Sequence, residues 1–366
     1  MIQSRYRHPF RSLFVVMFLF LLPAVSAATQ VYPIQVRFDR RVELISIIFY
    51  LAGNKEYAGC KDPAYLKAVE EYFGKFRSHP AVKMARELRE RKHIWFGAPI
   101  NLAVHLTPDY RLLPGVKDHA SGGSIDFRWT LAEAEAFARQ VRSFSQASRA
   151  SEFFRQHDGL YRQMTGRLRR LAAQQDPGWF ASLTKPQSRR QFTVVPSLLL
   201  GSGNYGPHVQ TQGRIRNYAV MGVWRFESDG SPTFSDDSSW VIIHEFAHSY
   251  VNPWVDEGMA ELRPAAERLI RAKESDFGKT GYGQGTEFNP DLLYETMVRA
   301  LVVVYFSDHG DPAGAQRQLQ KDVHRGWTWL PGVVDWIKTA RARGSFQLDA
   351  AARHDFANLL IALAQK

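Results

Sequence analysis

Residues 240–253 read WVIIHEFAHSYVNP, and the rest of the chain is best understood outward from that stretch. At its centre stands His244-Glu245-Phe246-Ala247-His248. On a helix, side chains four apart lie one turn above each other on the same face. His244 and His248 would then offer two imidazole nitrogens to a single ion. Glu245, one position on, would reach a water held there without binding the ion itself. Two neutral ligands, an open coordination position and an adjacent carboxylate are what metal-assisted hydrolysis requires. The preceding residues, Trp240, Val241, Ile242 and Ile243, are apolar, so the helix should be buried. Buried histidines beside a buried glutamate need a partner, and a metal supplies one. That argues against a surface helix with incidental histidines. Residues 235–239 (SDDSS) offer N-cap side chains. Asn252-Pro253 is expected to end the helix, because a residue before proline disfavours the α region.

A third ligand should complete the set. The longer HExxHxxGxxH pattern fails, since Val251 and Trp254 stand at its Gly and His positions. Glu295 is the only acid in the apolar run 292–306 (LLYETMVRALVVVYF). A carboxylate buried there needs a cation, either a metal or Arg299 four residues on. Glu257 competes if the chain turns back sharply at Asn252-Pro253. Glu267 has a familiar downstream spacing but sits among Arg263, Arg268 and Arg271. Glu295 is preferred on these grounds, and the other two stay open.

Upstream of the motif, 192–200 (FTVVPSLLL) and 218–226 (YAVMGVWRF) have the apolar character of strands. They flank the glycine-rich stretch 201–213 (GSGNYGPHVQTQG), which lacks phosphate-binding spacing and is read as a strand connection. Nearer the N-terminus, 31–38 looks extended and 42–51 (VELISIIFYL) is either a helix or a strand. Tyr65, Val69, Tyr72, Phe73 and Phe76 recur at helical spacing, and that helix should end within 74–78. Pro80 can open a further helix over 81–93, and 131–147 and 152–171 are also helical. From Pro290 onward the pattern is helical to the end. The fold class is therefore α+β, mostly helical with a small mixed sheet. The expected division is a mainly helical region, 28–190, and a second region, 191–366, that holds the motif.

Composition sets the address and excludes several functions. The chain has 366 residues, 45% hydrophobic and 23% charged, as expected of a globular protein. Arg5, Arg7 and Arg11 precede the apolar run 13–22 (LFVVMFLFLL), with Pro23 and the small residues 24–28 (AVSAA) behind it. That is the layout of a secretory signal peptide over 1–27, so export to the periplasm or medium is expected. Its loss would lower the basic count from 47 to 44 against 36 acids, leaving +8. Such a surface would suit contact with anionic envelope polymers or lipids, although solvated charge explains it as simply. Arg167, Arg169 and Arg170 are read as a solvated face, so no nucleic-acid partner is expected. Cys60 is the only cysteine, which excludes an intramolecular disulfide. No GxSxG elbow, Walker loop or CxxC pair competes with the histidine motif. The chain is expected to work as a monomer.

In 37–53 (RFDRRVELISIIFYLAG), 194–206 (VVPSLLLGSGNYG), 244–253 (HEFAHSYVNP) and 295–300 (ETMVRA) the chain resembles a family of exported bacterial proteins. The family is known as domain of unknown function 4932 and thought to contain gluzincin-type peptidases. The resemblance implies a zincin, thermolysin-like catalytic core with His244, His248 and Glu295 as Zn²⁺ ligands. It implies Glu245 as the catalytic base and Tyr282 as an oxyanion-stabilising aromatic. Residues 254–261 (WVDEGMAE) are also similar to the WLNEGFAEY stretch of gluzincin aminopeptidases, which there follows the motif at longer spacing. The function so implied is zinc-dependent hydrolysis of peptide or protein substrates, with Glu245 moving the proton. By analogy with zincins, 218–224 would be the edge strand that pairs with extended substrate, and Asn204 and Tyr205 would border the cleft. The alternative is a catalytically inactive zincin-like binding protein of the cell envelope.

Overall fold

Asp39 opens the first helix by accepting a hydrogen bond from the Arg41 amide at 3.0 Å, and this cap settles the ambiguity over 42–51. The segment is helix α1 (Arg40–Leu51), buried on nearly every side, with Arg41, Glu43 and Ser46 buried among its apolar residues. The computed structural model describes residues 33–184, 190–211, 213–235, 237–282, 288–344 and 346–366. The expected leader, 1–27, lies outside them.

Helix α3 (Pro80–Lys92) begins at the expected Pro80, and helix α2 (Pro63–Phe73) likewise starts at a proline, the two being capped by the His79 and Asp62 side chains. Helix α4 (Gly97–Val104) follows. Helix α5 (Leu131–Ala147) starts in a capping box between Thr130 and Glu133. The single helix expected over 152–171 is two, α6 (Ala150–Gln156) and α7 (Asp158–Ala172). They break at His157 (φ −101°, ψ 11°), which leaves the apolar periodicity on either side intact. A short α8 (Gly178–Ala181) leads to the sheet.

Strands β1 (Gln35–Val36) and β2 (Arg190–Ser197) pair in parallel. The glycine-rich stretch is more than a connection, for it carries β3 (Asn204–Tyr205) and β4 (His208–Thr211). Elements this short leave no alternating pattern to read. Both pair antiparallel with β5 (Arg214–Gly222), whose other side runs parallel to β2. The rest of the second expected strand forms a separate ribbon of β6 (Arg225–Phe226) with β7 (Pro232–Thr233). The sheet is thus small and mixed, as expected of this α+β chain.

Alternate residues of the central strands supply two cores. Val194, Ala219 and Met221 face one, built mainly from residues after Leu168. Val195, Tyr218 and Val220 face the other, built mainly from residues before Thr165. The described residues belong to one compact unit around these two cores. Among them no helix is long and apolar enough to cross a membrane.

The remaining helices are α9 (Asp237–Glu257), α10 (Met259–Ala272), α11 (Glu274–Phe277), α12 (Asp291–Asp308), α13 (Pro312–His324), α14 (Leu330–Ala342) and α15 (Ala350–Leu363). One expectation fails here. Pro253 does not end α9, which continues through it to Glu257. Tertiary contacts outweigh the proline. Trp254 and Val255 are buried, the Trp254 indole donates to the Asp349 carbonyl at 2.9 Å, and Arg353 donates to the Trp254 carbonyl at 3.3 Å. Burying two such side chains is worth roughly 1.5–3 kcal/mol each, comparable to the ~3 kcal/mol that an interior proline costs.

Candidate metal centre

Helix α9 turns Ile243, Phe246 and Ala247 into the core, with the Phe246 ring edge-on to Phe192 of β2 at 5.1 Å. That anchoring leaves His244 and His248 on the opposite side, toward α12, which packs along α9. Their Nε2 atoms stand 3.3 Å apart. Glu295 enters from α12, with Oε2 3.6 Å from His244 Nε2 and Oε1 3.4 Å from His248 Nε2. Three donors from two helices therefore converge. Ligands held tetrahedrally at 2.0–2.1 Å from one ion stand roughly 3.3–3.4 Å apart. Both the spacing and the imidazole–carboxylate chemistry of the three side chains fit Zn²⁺.

The contacts behind these donors fix their direction. His248 Nδ1 lies 3.0 Å from Asn252 Oδ1, which leaves Nε2 as the free nitrogen. Arg299 Nη2 meets Glu295 Oε2 at 2.9 Å, and its Nη1 donates to Asp322 Oδ1 at 2.7 Å. Asp322, on α13, is 1% exposed and accepts a second bond from Gln318 at 3.0 Å. The Arg299 guanidinium also lies over the Trp327 ring at 4.8 Å. Burial works to raise the Glu295 carboxyl, but His244, His248 and Arg299 outweigh it and hold the group well below the usual carboxylate range. Burial opposes the charge on His248, yet the Glu295 carboxylate beside it lifts its pKa to about 9. The group is electrostatically complete only as an ensemble.

Glu245 is 5% exposed, and burial pushes its carboxyl upward. With the three donors it lines a cleft of about 590 Å³. Gly206 explains how the sheet comes so close: a Cβ there would stand 2.1 Å from the Glu245 carbonyl oxygen, so only glycine lets the β3–β4 turn rest on α9. Tyr282 also lines the cleft, its hydroxyl against Glu295 and Arg299, and burial with the Glu295 charge pushes the phenol up.

The structure thus brings together His244, Glu245, His248, Tyr282 and Glu295. It leaves the other two ligand candidates elsewhere. Glu257 ends α9 with its side chain 70% exposed and paired to Arg353 at 2.9 Å. Nine residues past His248 on a continuous helix put it roughly 13 Å further along the axis. Glu267 pairs with Arg263 at 2.8 Å on α10. The expected substrate strand also needs correction. β5 is paired on both sides, by β2 and by β3 with β4, so it has no free edge. The edge nearer the cleft is β3, whose Asn204 lines it together with Ser202 and Trp224.

Sequence reasoning missed Asn252 as a partner of His248, although a third polar residue at the next i+4 step after the two histidines is a readable signal. It missed Asp322 altogether, because only the packing of α13 on α12 carries that residue to Arg299.

Fold and site together define a mostly helical α+β protein with a three-donor candidate metal centre in a cleft. Over residues 34–346 the chain matches the family described as Domain of unknown function (DUF4932), and it belongs to that family. No curated protein and no solved structure matches it.

Proposed function

We propose that this protein is an exported zinc-dependent peptidase with a zincin-like, gluzincin-type core. The observation that carries the reading is the convergence of His244, His248 and Glu295 at 3.3–3.6 Å with the Glu245 carboxylate in the same cleft. A bound zinc ion would supply Lewis acidity, lowering the pKa of water and polarising a carbonyl. The chain's own residues supply the rest. Glu245 accepts a proton from the attacking water and returns it to the departing amine as the C–N bond breaks. Tyr282 donates to the oxygen that gains charge. Asn252 holds His248, and Arg299 holds Glu295, in the orientations that the ion needs. A site for binding alone would have no use for Glu245 beside the ligands, which favours catalysis over an inactive scaffold. Export rests on residues 1–27, and N-terminal sequencing of envelope-fraction protein checks it.

The test compares Glu245→Gln with His244→Ala. The amide has nearly the shape of the carboxylate but cannot take and return a proton, so Glu245→Gln should keep the metal and lose on the order of 10²–10⁴ in peptide hydrolysis. His244→Ala should lose metal and activity together. Wild-type turnover by Glu245→Gln of a substrate whose cleavage a chelator blocks would refute the proposed role of Glu245.

A further inference from the structure

Beyond the metal-holding residues, one wall of the cleft comes from α13 and the residue after it, through Gln318, Lys321, Asp322 and Arg325. The acid in this group is already occupied: Asp322 accepts from Arg299 through Oδ1 and from Gln318 through Oδ2. Lys321 and Arg325 are four residues apart and exposed. Neither forms an ion pair with any acid among the described residues. The other acids of the cleft do not serve them either. Glu295 is engaged by the histidines and Arg299, Glu245 is buried beside those histidines, and Asp237 lies 3.8 Å from Arg225. Elsewhere the same i,i+4 spacing joins cations to acids, as in Arg162–Asp158 and Arg263–Glu267. Two like charges one helical turn apart repel, and a concave wall concentrates their field on whatever enters. An anion would relieve both.

We propose that Lys321 and Arg325 make the cleft selective for substrates that carry a carboxylate, which they grip while the rest of the chain lies along the cleft. This deepens the peptidase reading and rests on it. Carboxylate suits the pair because a guanidinium meets its two oxygens in a planar, two-pronged fit while an ammonium adds a point charge. Trp224 and Trp240 on the same cleft offer apolar surface to neighbouring residues of such a chain. The carboxylate can belong to an acidic side chain or to a free C-terminus, and the two call for different peptides.

The experiment uses the full chain carrying Glu245→Gln, zinc-loaded, so that peptide is bound and not cut. Fluorescein-labelled peptides of one sequence are compared by anisotropy with Glu or Gln at one internal position, each with a free or an amidated C-terminus. One carboxylate should tighten binding roughly tenfold, the scale of one charge-assisted contact. The Glu/Gln arms read a side chain and the acid/amide arms read a terminus. Adding Lys321→Ala and Arg325→Ala together should abolish the advantage without moving the melting temperature, since both residues are exposed. Lys321→Gln and Arg325→Gln singly should each remove part of it. The advantage should survive removal of zinc with a chelator. Equal binding of all four peptides, a preference that persists in the double variant, or one that vanishes on chelation would each overturn the proposal. Peptide that wild type binds with this preference but never cleaves would refute the peptidase reading alone.

Discussion

Asn252 is the most informative residue to change, because its two possible roles predict different outcomes. His248 can offer Nε2 to the centre only while Nδ1 carries the proton, and Asn252 Oδ1, 3.0 Å away, accepts from that N–H. In Asn252→Ala the ring is free to flip or to change tautomer. Loss of such an outer partner typically costs 10–100-fold in metal affinity, or about 1.4–2.8 kcal/mol. Folding should respond differently. The lost hydrogen bond is worth about 1 kcal/mol, and alanine recovers roughly 0.5 kcal/mol of helix propensity inside α9. The metal-free protein should therefore melt near the wild-type temperature while zinc binding weakens by an order of magnitude or more. Competition against a chromophoric chelator measures the zinc affinity, and thermal unfolding in excess chelator measures the melting temperature of the metal-free protein. Asn252→Asp, which keeps an acceptor and adds charge, should retain or raise affinity. Wild-type zinc affinity in Asn252→Ala would show that the contact is incidental and that packing alone orients His248.

Glu295→Ala should strip bound metal, measured by elemental analysis after dialysis, whereas Glu257→Ala should leave it at the wild-type level; the reverse result would move the third ligand to Glu257. Asp322→Ala should destabilise the fold by on the order of 1.5–3 kcal/mol, the scale of one buried hydrogen bond to a charged group, because Arg299 keeps Glu295 as its remaining carboxylate, and chemical denaturation reads that difference. His105 is fully buried between the Asn101 carbonyl and the Ser124 hydroxyl, and burial holds its pKa at about 4 against roughly 6.5 in the unfolded chain. Its folded pKa is depressed, so the unfolded state binds the extra proton, and stability is lost as pH falls through the window from about 6.5 to about 4, by up to about 3 kcal/mol. His105→Gln should flatten the pH dependence of the melting temperature across that window, and an unchanged slope would refute the assignment.

Much of the site was legible because burial and polarity conflict openly in the sequence. A glutamate that is the only acid in a mostly apolar run of fifteen residues, with an arginine four positions on, marks a carboxylate that needs a cation, and Glu295 has both Arg299 and two imidazoles. The helical half was legible from apolar periodicity at α2 and α5, and at α3 from Pro80 in the first turn as well; the capping side chains found at all three agree with it. What escaped depends on partners far away in sequence. Residues 201–213 look like a connection because β3 and β4 are too short to show alternation and take their hydrogen bonds from β5. The pairing of Asp322 with Arg299 spans 23 residues and exists only through the packing of α13 on α12.

Pro253 shows how a local rule and the tertiary structure can disagree with functional consequence. Read locally, Asn252-Pro253 stops the helix, and a stop there is what would have let Glu257 swing back toward His248. The α15 helix decides otherwise. The Trp254 indole on the Asp349 carbonyl, and Arg353 on both the Trp254 carbonyl and Glu257, hold the last turn of α9 in line. Two results follow from that one continuation. Asn252 stays helical, one turn beyond His248, where its side chain can accept from the imidazole. Glu257 is carried out to solvent, which leaves the third position of the donor set to α12. The same contacts with α15 that keep α9 straight thus select both the partner of His248 and the helix that supplies the carboxylate.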